Sequence, residues 1–422
     1  MAIDHQLFLN QETKTVIWRV VLEYREKRKK ALLKNHLEYE NFRNELHEIK
    51  EKAISQLDAL KKKAIGSLKE NGIEVFEAED ATRVREIVQS LIKDDQMVLK
   101  SKSNIADEID LKPLFQNKEL IETDLGDIIN QWMAEEDLHP VFPAFHLTPE
   151  KIVERIYQKF GEKVEPKAEA IASFARGYLR KKIPAATAGI TGANVITADG
   201  RIILLENEGN ISLVSRWPDK HLIISGIEKL APDLGAGMKI VKASAIWGAG
   251  QNWPVYVSII SGPSKTADVQ NKLVIGAQGA KKVSLILVDN GRSQLLKAGF
   301  EELLYCLNCG ACLNFCPVFH QIGRNYGAKY LGSKGVIFAG FSEGFKKAVD
   351  SNCFSCTSCL ACYENCPVKI NLPELMKKLR SYFEKENLQT EANKEMIENI
   401  RKFGNPFGKL EEEKIPKKLY CC

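Results

Sequence analysis

Cys306-Leu-Asn-Cys309-Gly-Ala-Cys312-Leu-Asn-Phe-Cys316-Pro317 and Cys356-Thr-Ser-Cys359-Leu-Ala-Cys362-Tyr-Glu-Asn-Cys366-Pro367 share one spacing, C-x2-C-x2-C-x3-C-P. Two-residue gaps let a chain wrap a cubane so that three thiolates reach three irons. The fourth cysteine, set off by three residues and followed by proline, points to a neighbouring cluster. The spacing therefore predicts two 4Fe–4S clusters with crossed ligands: Cys306, Cys309, Cys312 and Cys366 for the first, and Cys356, Cys359, Cys362 and Cys316 for the second. A zinc ribbon uses two C-x2-C pairs, whereas here there are two complete four-cysteine motifs, each ending in Cys-Pro. Cys353, Cys421 and Cys422 fall outside both sets; Cys353 reads as a spare thiol, and the terminal pair as exposed thiols.

The 39 residues between Cys316 and Cys356 carry a helical pattern around 342–349. That linker is too long for a minimal ferredoxin and suits the helical two-cluster segments of larger dehydrogenases. Cysteine usage outside the motifs agrees. Of eleven cysteines, an odd number, nine lie in Cys306–Cys366, which reads as metal ligation rather than a secreted disulfide framework.

At 422 residues the whole chain is long enough for two or three domains with real cores. A net charge of +5 against 60 basic and 55 acidic residues gives no reason to expect nucleic acid. No run of about 18 apolar residues occurs, so no transmembrane segment is expected. Met1–Gln11 lacks the apolar core of a signal peptide. These readings predict a cytoplasmic protein, with any membrane association through partners.

Residues 1–70 form an N-terminal helical region. From Val16 to Glu70 apolar residues such as Leu33, Leu37, Phe42, Leu46, Ile49 and Ile54 recur at helical intervals, predicting two or three amphipathic helices. From 71 to 292 short β-rich runs alternate with helical stretches: Ile73–Phe76, Met97–Lys100, Glu119–Thr123, Val195–Ile196, Ile202–Glu206, His221–Ile224, Val255–Ile260 and Val283–Val288. That alternation predicts an α/β domain with a largely buried sheet. Residues 293–385 form the helical ferredoxin domain, and 386–422 a C-terminal tail.

Within the α/β region, Lys100, Lys102 and Ser103 follow a strand, and they either hold a carboxylate or phosphate or lie in a solvated loop. Glu206 and Glu208 are two apart and share a face if the strand stays extended; cation binding, ligand recognition and pairing with lysines all remain open for them. His146 and His221 read as structural. Gly235-Ala-Gly237 and Gly248-Ala-Gly250 lack the third glycine of a dinucleotide fingerprint, and no Walker A sequence occurs. A partner is therefore expected to supply a flavin or other two-electron centre.

Read together, the motifs bear a family resemblance. Lys100-Ser-Lys-Ser103, Glu122-Thr-Asp-Leu-Gly126, Gly192-Ala-Asn194, Glu206-Asn-Glu-Gly-Asn210, Gly226-Ile-Glu-Lys229, Ser261-Gly-Pro-Ser264 and Ile286-Leu-Val-Asp-Asn-Gly-Arg292 precede the cysteine motifs in family order. Over about residues 20–385 the chain resembles the lactate utilization protein B family of LUD-domain (lactate utilization domain) iron–sulfur proteins. The resemblance implies a LUD α/β domain akin to the CoA-transferase and ribose-5-phosphate isomerase superfamily. It further implies an electron-transfer subunit of a multi-subunit oxidoreductase acting on L-lactate or a related 2-hydroxy acid, with a CCG-domain subunit and a second LUD protein as partners. Family members continue further beyond the second motif than this chain does. Gly404-Asn-Pro-Phe-Gly408 is similar to segments of heterodisulfide-reductase-type subunits. That similarity implies an alternative as relay or scaffold in a heterodisulfide-reductase-like or electron-bifurcating complex.

Overall fold

The computed structural model describes residues 7–134, 138–141, 144, 146–386, 388 and 391–410. Three helices open it, Gln11–Lys34, Tyr39–Ser55 and Leu57–Glu70. The first starts where the Asn10 side chain accepts the Thr13 N–H, a capping bond that satisfies one of the end's free donors. Its buried positions, Ile17, Val21, Tyr24 and Ala31, keep the three- and four-residue rhythm that turns one helical face inward.

Twelve strands follow among the described residues: Glu74–Ala78 (β1), Met97–Lys100 (β2), Glu119–Glu122 (β3), Ala188–Thr191 (β4), Val195–Thr197 (β5), Ile202–Glu206 (β6), Lys220–Gly226 (β7), Leu230–Ala231 (β8), Tyr256–Ile260 (β9), Lys265–Thr266 (β10), Val274–Ile275 (β11) and Lys282–Val288 (β12). Six make one all-parallel sheet, in the order β1-β12-β7-β4-β2-β3. Helices cover both faces, so β12 is buried throughout Val283–Val288 and only its first residue, Lys282, is exposed. A smaller sheet, β8-β5-β6-β9, branches from β4 through Gly192-Ala193-Asn194.

The centre of the main sheet is β4, which the sequence reading passes over. Ala-Gly-Ile-Thr offers only four small or short residues, yet all four are buried. Chain order reverses here: β3 pairs on one side of β2 and β4 on the other. Such a switch point opens a crevice at the carboxyl ends of the strands. Ser101–Ser103 after β2 and Gly192 after β4 meet in it, and a Cβ on Gly192 would stand 2.8 Å from the Ser103 hydroxyl.

The cysteine motifs lie among short turns and helices beyond β12. The expected linker helix near 342–349 is in fact two, Gly332–Ser342 and Phe345–Asp350. Gly344, at φ +102, makes the break between them. Helices Leu372–Lys385 and Glu391–Phe403 follow, and Cys421 and Cys422 lie outside the described residues. Among those described, no helix is long and apolar enough to cross a membrane.

The helical segment is not a separate body. One continuous apolar core runs from Leu46 and Leu68 through Ile203 and Trp247 to Phe319, Val336 and Met376.

Candidate metal centre

The two motifs fold alike. In the first, Asn308 and Gly310 have left-handed backbones, φ +59 and +75; in the second, the matching Ser358 and Leu360 have φ +55 and +64. These paired reversals curl each C-x2-C-x2-C run into an arc whose thiols face inward. Leucine in this region is costly, and Leu360 holds the conformation because the wrapped loop requires it. Backbone N–H groups also reach sulfur: Asn308 donates to Cys306 Sγ and Phe319 to Cys316 Sγ, both at 3.4 Å.

The cysteines gather in the two crossed groups. Cys306, Cys309, Cys312 and Cys366 line one small cavity, closed by Leu307, Val368, Ile370 and Leu372. Cys316 instead lies within electrostatic reach of Cys356 and Cys359, and Cys362 of Cys316, Cys356 and Cys359. Cys312 is influenced by Cys362 as well as by its own group, so the two sets adjoin. Among the described residues no three His, Cys, Asp or Glu side chains gather about a point that would suit a single ion; what the first four thiols share is a cavity.

Burial pushes the Cys309 and Cys362 thiols up to about 12 and those of Cys316 and Cys366 to about 11. Left to themselves these thiols stay protonated, and a bound metal group would take them as thiolates, their protons leaving to solvent. An all-sulfur donor set, arranged as two adjoining groups around internal space, fits two cubane clusters. Cys353 is fully buried in the core beside the second motif.

Residues far away in sequence brace these loops. Arg43, on the second helix, is 4% exposed and donates to the Cys366 carbonyl at 2.8 Å and the Tyr363 carbonyl at 2.7 Å. His47 Nδ1 lies 2.9 Å from the Val368 carbonyl, and Arg380 donates to the carbonyls of Cys353 and Cys356. Arg25 and Arg28 stack on the Phe315 ring beside Cys316, 4.4 and 4.8 Å from its centroid. The N-terminal helices thus clamp the metal loops. The one sequence signal for this is Arg43 itself, a charge next to Phe42 in an otherwise apolar stripe.

Cations also surround the first cavity. Lys334 lines it, reaches Asn308 Oδ1, and lies 4.0 Å over the Tyr330 ring. Lys50, buried, and Lys229, half-buried, lie within electrostatic reach of Cys306. Burial and then Lys229 lower Lys50 to about 8, and burial also lowers Lys229.

The α/β candidates are mostly engaged already. Lys100 ends β2 buried, with its ammonium 3.0 Å from both Glu122 and Asp107. Lys102 pairs with Asp127 at 3.6 Å and Asp124 at 4.0 Å. Ser103 caps the helix Asn104–Ile109, accepting the Ala106 N–H at 3.3 Å. Glu206 and Glu208 do not share a strand face, because β6 ends at Glu206. Glu206 turns to the start of the helix Asn210–Arg216 and accepts the Ser212 N–H, whereas Glu208 accepts the Leu125 N–H at 3.1 Å beside Asp124. Burial, with Asp124 next, pushes Glu208 up to about 7. His221 is buried in the sheet, Nε2 2.9 Å from the Thr191 hydroxyl; His146 is partly buried, and Pro143 lies outside the described residues.

Sequence reasoning misses Asp127 and His139. Both are buried, and both line a cavity of about 740 Å³ that runs from the carboxyl ends of β2 and β3 to Cys306 and Cys312. His139 packs on the cysteine loop, where a Cβ on Gly310 would come within 2.7 Å of its ring. Burial, then the charge of Lys102, holds its imidazole down at about 3.

The family models divide the chain in the same way. Residues 61–288 match the LUD domain, and residues 302–370 match the 4Fe-4S dicluster domain. Lactate utilization protein B of Bacillus velezensis is 32% identical over 350 residues, 81% of this chain and 71% of that protein. Lactate utilization protein B of Geobacillus sp. strain WCH70 is 33% identical over 350 residues, 81% and 72% of the two chains. A protein of Escherichia coli K12 named "Uncharacterized electron transport protein YkgF" is 31% identical over 367 residues, 85% and 75%. The chain therefore belongs to the LUD-domain family, in the group of lactate utilization protein B, with an α/β LUD domain followed by a helical 4Fe–4S dicluster segment.

Proposed function

We propose that this chain is the iron–sulfur electron-transfer subunit of a cytoplasmic, multi-subunit oxidoreductase that oxidises L-lactate or a related 2-hydroxy acid. The observation that carries the reading is the crossing of the two thiol groups, Cys366 with the first motif and Cys316 with the second. When bound, two cubanes supply one-electron storage and transfer. The protein's part is to hold the two sites side by side and set their surroundings. Backbone N–H groups on Cys306 and Cys316 and the lysines near Cys306 stabilise negative charge on the cluster side, which tunes potential. Removal of hydride from a 2-hydroxy acid needs a two-electron acceptor, which the reading assigns to a flavin-containing or CCG-domain partner. The names of the relatives support lactate as the substrate.

The test is to purify the full chain anaerobically, measure iron and acid-labile sulfide, and identify the subunits that accompany it. About eight irons per chain, a reducible electron paramagnetic resonance signal and co-purifying subunits that reduce the clusters with L-lactate are expected. Zinc in place of iron would overturn the relay. Cluster reduction that depends on a thiol–disulfide couple and ignores lactate would overturn the substrate.

A further inference from the structure

The electron-relay role leaves the 740 Å³ cavity unused. Its floor lies at the carboxyl ends of the neighbouring strands β2 and β3, where Lys100 ends β2 and Glu122 ends β3, on the edge of the sheet at which α/β folds take ligands. Its volume suits a cofactor-sized molecule, since small-ligand sites run about 300–1,000 Å³; a three-carbon acid would fill a small fraction of it. Its far wall carries Cys306 and Cys312.

A second observation points to an occupant. Asp127 is 6% exposed and lines the cavity, yet neither of its carboxylate oxygens accepts a hydrogen bond. Its charge partner is Lys102, 3.6 Å away. A buried polar group without hydrogen bonds is costly unless a ligand supplies them. Burial pushes Asp127 well above the usual carboxylate range, against the pull of Lys102, and both of its oxygens are free to accept.

Charge divides the cavity. Acidic groups gather on the sheet side, where Asp107 and Glu122 already flank Lys100. Basic groups gather on the side of the cysteine segment, at Arg324, Lys329 and Lys334. The lining also has an apolar part, with Leu111, Phe115 and Leu120.

We propose that this cavity binds a ring-bearing organic anion of cofactor size. Its carboxylate or phosphate turns to Arg324, Lys329 and Lys334, its apolar body lies on Leu111, Phe115 and Leu120, and an N–H or O–H of its ring system donates to the Asp127 carboxylate. The bound molecule thereby lies against the wall that holds Cys306 and Cys312. This site goes beyond the relay reading, which places the two-electron centre on a partner.

The probe is 8-anilinonaphthalene-1-sulfonate, an aromatic anion of suitable size, titrated by fluorescence into the full-length, cluster-loaded protein. Saturable binding of one molecule per chain is expected. Lys329→Glu, at an exposed position, should weaken it roughly three- to tenfold. Leu120→Trp should abolish it by filling the apolar wall, with unchanged iron content and circular dichroism certifying the fold. Asp127→Asn, which keeps the volume, provides a second variant should Leu120→Trp fail to fold, and it should weaken binding. Displacement by flavin mononucleotide but not by riboflavin would assign a phosphate-bearing ring; displacement by 2-naphthoate but not by flavin mononucleotide would assign a carboxylate. Absence of saturable binding, binding indifferent to Lys329→Glu and Asp127→Asn, or displacement by millimolar lactate would overturn the proposal. Iron content tests the relay and probe binding tests the cavity, so either can fail alone.

Discussion

Arg292 grips Glu108 with both ends of its guanidinium, Nη1 3.0 Å from Oε1 and Nη2 2.9 Å from Oε2, with both side chains 2% exposed. Its Nε holds Glu228 at 2.5 Å, and the Tyr330 hydroxyl of the cysteine segment donates to Glu108 at 2.6 Å. One cation thus serves two buried carboxylates at the seam between the sheet and the metal-binding segment. Arg292→Met keeps much of the stem but removes the one charge that pairs directly with both acids. We expect a loss of about 3–5 kcal/mol, visible as a lower thermal midpoint by circular dichroism. An unchanged midpoint would refute the role.

Several buried groups make the fold acid-sensitive, Glu228 and His221 among them, with His139 acting in the same sense as His221. Burial raises Glu228, but Arg292 and Lys229 outweigh it and hold the carboxyl at about 2, below its ordinary 4.5. Its ionised form stabilises the fold, fully above about pH 4.5, and this is lost as pH falls toward 2. His221 is held at about 3, below its ordinary 6.5, by burial and then by the charge of Arg216. Protonation of His221 therefore favours the unfolded chain, and stability falls as pH drops from about 6.5 toward 3. His221→Gln should flatten the pH dependence of denaturant unfolding between pH 6.5 and 4.5 by up to about 1.4 kcal/mol per pH unit. The Glu228 step below 4.5 should persist. A variant as acid-sensitive as the parent would show that His221 is not the group.

What can be read along the chain is local. Cysteine spacing is a covalent fact, and β2 and β6 stand out at Met97–Lys100 and Ile202–Glu206 because β-branched and leucine runs mark themselves. By contrast β4, the middle of the sheet, is invisible: Ala188 and Gly189 leave room for the helix Asn210–Arg216, whose Val214 carbonyl packs directly on Gly189. Smallness at a packing contact looks like a loop in one dimension. Lys100 and Lys102 are legible as charges after a strand, but their partners Asp107, Glu122 and Asp127 depend on how the next helices return. Arg43 and Cys366 lie 323 positions apart, and no pattern along the chain connects them.

Paired cysteine substitutions separate crossed from uncrossed ligation. Cys306→Ala with Cys366→Ala removes two ligands from one cluster, and iron should fall from about eight to about four. Cys306→Ala with Cys316→Ala takes one ligand from each cluster, and most of the iron should go. Uncrossed ligation gives the reverse order, with the pair in the first motif keeping half the iron. Iron analysis and electron paramagnetic resonance of the reduced proteins distinguish the two.

Cys353 lies just ahead of the second motif yet is fully buried, and Arg380 binds its carbonyl at 2.8 Å. It acts as a small apolar side chain in the core. Cys353→Ala should cost about 1 kcal/mol of stability and leave the iron content unchanged. Loss of half the iron would make it a ligand.

Lys334 stands in the wall of the first thiol group, so its charge acts most directly there. Its ammonium shares the cavity wall with Cys306, Cys309, Cys312 and Cys366, and is steadied by Asn308 and by the face of Tyr330. A positive charge in that wall favours the more negative, reduced state of whatever the thiols bind, so it raises the potential there. Lys334→Met keeps the stem on Tyr330 and removes the charge. A unit charge a few ångströms away at an effective dielectric near 20 is worth on the order of 1–3 kcal/mol, so the potential of one cluster should fall by tens of millivolts. The other should shift less, because it lies farther from the charge. A redox titration followed by electron paramagnetic resonance reads both at once. Equal shifts in the two signals would mean that the substitution disturbed the fold, and a rise in either would contradict the electrostatic account.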